Sequence, residues 1–154
     1  MRYSIQFDTS GLSAMKKSDM NAVIRKAYEK IGEHWHRYFR ARHFSNQAYQ
    51  EYGYQPRSKS YNWRKLKYLK HNLPLVFTGR SRDLSKSRNV YATKNGVSIT
   101  MPVRAFNFRR TAKAPDMQKE FRTVSDRERI VLHGVGQKVI EKEITKFGRR
   151  RAKV

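Results

Sequence analysis

The 154-residue sequence contains no cysteine, which excludes disulfides and thiolate-held metals and leaves the redox compartment unmarked. Acidic residues are scarce: 12 Asp and Glu stand against 35 Lys and Arg, a net charge of +23. Hydrolytic chemistry with Mg²⁺ needs clustered carboxylates, and the acids here are scattered. Pro115-Asp116 begins like a nuclease element, but Met117-Gln118-Lys119-Glu120 follows, without the spaced acid-x-Lys that would complete it. Glu141 and Glu143 flank Lys142, an ordinary spacing for a solvated helix face. Gly-x-Ser-x-Gly, Gly-x-x-x-x-Gly-Lys-Ser/Thr and Gly-x-Gly-x-x-Gly are all absent. No apolar run approaches the roughly 20 residues that cross a bilayer. Met1-Arg2-Tyr3-Ser4-Ile5 lacks the apolar stretch of a secretion signal, so the expected product is intracellular or assembled inside a cell.

Five histidines, His34, His36, His43, His71 and His133, are the remaining metal candidates. His34 and His36 are two apart and diverge on a helix, while His36 and His43 lie two turns apart with no carboxylate nearby. Surface or half-buried histidines are the expectation, with no metal, no cofactor and no catalytic residue.

What the chain does have is apolar material, 38% of residues with 12% aromatic, enough for a modest core. Its length suits a single α+β domain over 1–148, followed by a basic tail at 149–154. The positive excess is spread: residues 1–44 carry nine bases and four acids, 45–72 six and one, 73–125 eleven and three, 126–154 nine and four. Charge of this kind repels itself in the compact state, and a polyanion or an acidic protein surface relieves that repulsion.

Tyr3, Ile5 and Phe7 alternate with polar residues as in a strand with one buried face. Met20, Val23, Ile24, Ala27, Tyr28, Ile31, Trp35, Tyr38 and Phe39 recur at helical spacing and predict a long amphipathic helix over 18–42, with Ser18 as N-cap. Asn89–Thr93 and Val97–Met101 flank Lys94-Asn95-Gly96, predicting a hairpin with Asn95-Gly96 in a type I′ turn at its tip. A further strand is expected over 103–108, then a basic loop over 109–120. Ser125-Asp126-Arg127-Glu128 fits a capping box ahead of Val131, Val135, Val139, Ile140, Ile144 and Phe147. Gly134 and Gly136 weigh against an unbroken helix there. A strand over 130–132 with a helix from Gly136 is the alternative, and the longer helix is preferred. Helices packed on a small antiparallel sheet, with a long basic-aromatic loop over 45–72, is the expected architecture.

Within that loop Tyr49, Tyr52, Tyr54, Tyr61, Trp63 and Tyr68 interleave with Arg57, Lys59, Arg64, Lys65, Lys67 and Lys70, with a short helical turn expected near Trp63–Leu66. Cations for phosphates and ring faces for bases suit single-stranded nucleic acid. The preferred alternative packs Tyr61, Trp63 and Tyr68 against the sheet or a neighbouring subunit, since Trp63-x-x-Leu66 has the form of an anchor. Candidate assembly or DNA contacts are Arg57, Lys59, Trp63, Arg64, Lys65 and Lys67, with Arg80, Arg82, Arg109 and Arg110 beyond them. The tail adds Arg149, Arg150 and Arg151.

Trp63-Arg64-Lys65-Leu66, the run Leu73-Pro74-Leu75-Val76-Phe77-Thr78-Gly79-Arg80 continuing to Ser87, and the Asn95-Gly96 hairpin together resemble bacteriophage tail-completion and virion-morphogenesis proteins. A long amphipathic helix precedes these features in that family, and Glu120–Asp126 resembles its approach to the last helix. The resemblance implies a structural virion protein of the neck or head–tail connector, assembled in the host cytoplasm as a homo-oligomeric ring, without catalysis. Its implied partners are copies of itself and other neck and tail proteins. In a ring, the charge would line a channel that DNA crosses or face an acidic connector. A stand-alone basic nucleic-acid-binding protein is the alternative, and an enzyme stands third.

Overall fold

Helix α1 (Lys17–His34) forms where the apolar stripe predicts it and buries Val23, Ala27, Tyr28 and Ile31 at spacings of three and four. This computed structural model describes residues 2–3, 5–7, 9, 12, 15–102 and 115–151, with backbone alone at positions 2, 3, 150 and 151. The N-cap is Lys16 and not Ser18: Lys16 is extended and gives no side-chain cap, while the Ser18 hydroxyl turns to the Asp19 carboxylate. Asp19 in the first turn suits the positive end of the helix dipole. Past His34 the backbone widens into a π-helical turn, Trp35–Phe39, then tightens into a 3₁₀ segment, Arg40–Phe44. The helical run therefore extends through the expected 18–42, but its last part is not α-helical.

Three strands form one sheet in the order β1 (Arg2–Tyr3), β3 (Gly96–Thr100), β2 (Asn89–Thr93). β1 runs antiparallel to β3, with Arg2 opposite Ser98 and Tyr3 opposite Val97. In β3, Val97 and Ile99 are buried and Ser98 alternates with them, the pattern of a strand with one covered face. The expected type I′ turn at Asn95-Gly96 does not form. Asn95 is not in the left-handed region, the turn falls on Lys94-Asn95, and Gly96 already opens β3. Thr93 closes it, its Oγ1 accepting from the Asn95 amide at 3.2 Å and donating to the Gly96 carbonyl at 3.3 Å. The strand expected over 103–108, and the first part of the loop after it, lie outside the described residues. The rest of that loop holds helix α5 (Met117–Arg122), capped by Asp116, whose Oδ1 accepts from the Lys119 amide at 3.0 Å.

Helix α6 (Asp126–Arg151) starts directly after Ser125 and passes through Gly134, Gly136 and Gly148 without a break, as the longer-helix reading expects. Arg149, Arg150 and Arg151 are its last residues, so the tail expected from 149 is helical through 151.

The chain's packing divides into two compact units, each assembled from separated segments. The first comprises 1–35, 90–100 and 126–154. In it α1 packs on β3 and on α6, burying Ala27, Ile31, Trp35, Val97, Ile99, Leu132 and Ile140. Two glycines permit that closeness. A Cβ at Gly32 of α1 would come within 2.7 Å of Val97 and 2.8 Å of Val90; one at Gly136 of α6 would come within 2.4 Å of the Phe7 ring and 2.9 Å of Ile31. Phe7 also lies against Tyr28, whose hydroxyl donates to the Ile5 carbonyl at 2.6 Å and accepts from the Ile5 amide at 3.2 Å. Lys26 of α1 pairs with Glu143 of α6 at 2.7 Å.

The second unit comprises 36–89 and 101–125, and includes helices α2 (Ala48–Glu51), α3 (Lys59–Leu69), α4 (Arg80–Leu84) and α5. The stretch 45–72 is thus more structured than a loop with one short helical turn. The core of this unit is aromatic: Phe39, Phe44, Tyr52, Tyr54 and Phe121 are buried together with His43. His43 stacks on Tyr52 with ring centroids 3.9 Å apart and 12° between planes, and its Nδ1 lies 2.5 Å from the Tyr54 hydroxyl. This burial pushes its pKa down to about 3, so it is a neutral core residue at physiological pH.

Candidate functional site

Charge is unequal between the two units. Residues 1–35, 90–100 and 126–154 hold 16 bases and 8 acids, whereas 36–89 and 101–125 hold 19 bases and 4 acids. Between Glu51 and Asp83 the sequence has no acid at all and eight bases, and helix α3 stands in the middle of that stretch.

Helix α3 is capped by Ser58, whose Oγ accepts from the Tyr61 amide at 3.3 Å, and stops at Lys70, which adopts the left-handed conformation at φ 57°. Lys65 is buried on its inner face. The ammonium donates to the Leu73 carbonyl and lies over the Tyr61 ring, and burial, with Arg57 nearby, lowers its pKa to about 8. Tyr61 is half-buried, with Phe77 at a ring distance of 6.3 Å. The outer surface carries what a monomeric core would normally cover: Trp63, Leu66 and Tyr68 are 58, 52 and 68% exposed. Lys67 lies among them, its Nζ 4.7 Å from the Trp63 ring centroid and 5.4 Å from that of Tyr68. Such contacts hold a cation and two ring faces together at a modest energy of about 0.5–1 kcal/mol each when exposed. Trp63 and Tyr68, expected to pack against the sheet or a neighbouring subunit, are exposed on α3 and available to another molecule.

The other candidates divide sharply. Arg57 is committed inside the fold: Nη2 lies 2.5 Å and Nη1 3.0 Å from the Glu120 carboxylate, and Nη1 also donates to the Gln55 carbonyl. Burial works against its charge, but the bonds to Glu120 outweigh it and raise the Arg57 pKa. Arg57 and Lys65 are consequently structural cations and drop out as surface contacts. Lys59, Arg64 and Lys67 are exposed on α3, and Arg80 and Arg82 are exposed on α4. Arg149 is exposed near the end of α6, the side chains of Arg150 and Arg151 are not described, and Arg109 and Arg110 lie outside the described residues.

Sequence reasoning missed a second polar cluster, because its members are far apart in the chain and match no motif. The His36 Nε2–H donates to the Ser85 carbonyl at 2.9 Å, and Arg40 donates to the Ser85 hydroxyl at 2.7 Å. The Ser85 hydroxyl donates in turn to the Arg82 carbonyl at 2.6 Å. Burial, with Arg88 and Arg40 nearby, lowers the His36 pKa despite its bond to Ser85. This cluster ties the π-helical turn to the end of α4 and holds no group free to act as a nucleophile.

Among the described residues no three His, Asp or Glu side chains gather as a metal site, and no helix is long and apolar enough to cross a membrane. No protein-family model, no curated protein and no solved structure matches this chain.

Proposed function

We propose that the chain is a structural protein of a phage virion, at the neck or tail junction, where copies of it form a ring that completes the tail or connects it to the head. In this role it acts through surfaces and uses neither a cofactor nor a catalytic residue. The observation that carries the reading is the exposure of large apolar side chains on the first unit: Tyr91 on β2 at the edge of the sheet is 70% exposed, and Ile130 on α6 is 73% exposed, with Val131 beside it. A subunit interface in a ring would bury such residues.

The stretch that carries the family resemblance also has a coherent local geometry. Gly79 of the Thr-Gly pair is the N-cap of α4 at φ 85°, a conformation that disfavours any side chain, and the hairpin strands follow. Sedimentation of the purified protein tests the ring: a discrete multimer supports it, and Ile130→Asp should dissociate that multimer. A monomer at every concentration up to the millimolar range removes it.

The second reading, a stand-alone nucleic-acid-binding protein, is favoured by the 19 bases and 4 acids of the second unit. It requires tight binding to free nucleic acid with a steep salt dependence.

A further inference from the structure

The outer surface of α3 combines three properties that are seldom exposed together. It presents two aromatic rings, Trp63 and Tyr68, where a folded chain normally buries them. It places a lysine between the two rings, Lys67, within 4.7 and 5.4 Å of their centroids. And it lies in a stretch where no carboxylate occurs from residue 52 to residue 82. Each property narrows the class of occupant. Absence of acid favours an anion. Cations distributed along a helix, with Lys59, Arg64 and Lys67 all exposed on α3, favour an extended anion over a point charge. Exposed rings favour a partner that offers π faces, and a nucleic-acid duplex hides its own faces inside the stack.

We propose that the exposed face of α3 is a binding site for single-stranded nucleic acid, with Trp63 and Tyr68 stacking on unpaired bases and Lys67, Arg64 and Lys59 neutralising the adjacent phosphates. The inner face of the same helix makes the platform rigid: Lys65 is anchored to the Leu73 carbonyl, and Ser58 caps the first turn. Binding of this kind is tolerant of sequence, because every base offers a ring face, and is weakened by salt through the phosphate contacts. The site does not depend on the virion reading, since an isolated monomer would display it equally.

The test uses the full-length protein, a fluorescein-labelled oligothymidylate of about 20 nucleotides, and a duplex of the same length. Trp35 is buried and Trp63 exposed, so stacking on Trp63 should quench the solvent-accessible part of the tryptophan emission. Stacking contributes about 1–3 kcal/mol per base, so Trp63→Ala and Tyr68→Ala should each weaken single-strand binding by roughly 5- to 150-fold. Lys67→Gln should lower the salt slope by about 0.7, as for one phosphate contact. Lys138→Gln, a charge removed from the exposed side of α6, should leave the quenching unchanged. Circular dichroism of each variant establishes that α3 is intact; these side chains are exposed, so their removal leaves the core filled. Unchanged affinity in folded Trp63→Ala overturns the proposal. So does equal affinity for the duplex, or binding to polyglutamate that depends on Trp63, which would mark an acidic protein surface as the occupant.

Discussion

Gly134 and Gly136 lie two residues apart on α6, and replacing each with alanine should move stability in opposite directions. In a helix interior alanine is more favourable than glycine by about 0.8–1.0 kcal/mol. Around Gly134 nothing comes within 4 Å of an added Cβ, so Gly134→Ala should keep that gain nearly whole. At Gly136 the added Cβ would lie 2.4 and 2.7 Å from the Phe7 ring and 2.9 Å from Ile31. Something must shift, and Phe7 is hemmed in by Tyr28, 5.2 Å away between ring centroids. Overpacking of this kind costs about 1–3 kcal/mol, which offsets the propensity gain and leaves Gly136→Ala destabilised by up to about 2 kcal/mol. For a chain of this size 1 kcal/mol corresponds to about 2–4 °C in melting temperature. Thermal unfolding followed by circular dichroism should therefore show Gly134→Ala melting a few degrees above the parent and Gly136→Ala a few degrees below it. If both variants gain stability, α6 does not seat against Phe7 and Ile31 at Gly136, and the packing described for the first unit is wrong.

Two further perturbations probe the second unit. Glu120→Ala leaves the Arg57 guanidinium buried without its counter-charge, and breaking such a pair costs about 3–5 kcal/mol, to be measured by urea unfolding. A loss under 1 kcal/mol would mean that the pair is open to solvent. Acidification should destabilise the fold through His43, whose folded pKa of about 3 lies below its ordinary value near 6.5. The sign follows from the depression: the unfolded chain takes up this proton first, so the contribution is fully present above pH 6.5 and is lost as pH falls toward 3. At pH 5 the loss is about 2 kcal/mol, and a His43→Gln variant should show a correspondingly flatter dependence between pH 6.5 and 5.

Much of the architecture is legible in the sequence because burial imposes periodicity. The stripe from Val23 to Ile31 marks α1, and Val97 and Ile99 mark the covered face of β3, since burial recurs at the period of each element. The π-helical turn at Trp35–Phe39 leaves no such trace, because its apolar residues still fall near helical spacing. Gly136 weighs against a helix on propensity alone, and only the position of Phe7, more than a hundred residues away, explains its presence.

The candidate surface is legible in composition but not in detail. Between residues 45 and 72 aromatics and bases alternate without a period, yet Tyr52, Tyr54, Arg57 and Lys65 belong to the interior while Trp63, Lys67 and Tyr68 face solvent. What separates them is contact with His43, Glu120 and the Leu73 carbonyl, from segments that the local pattern does not reveal.

The virion role proposed for the protein requires that it be carried in the particle. Phage particles released from a host carrying this coding sequence, purified by density gradient and washed in high salt, should contain the 18.3 kDa chain at a fixed number of copies, by quantitative mass spectrometry. Electron microscopy of particles lacking it should show heads and tails that fail to join or complete. If the protein is made in the host, yet purified, infectious particles contain none of it, it is not a virion structural protein.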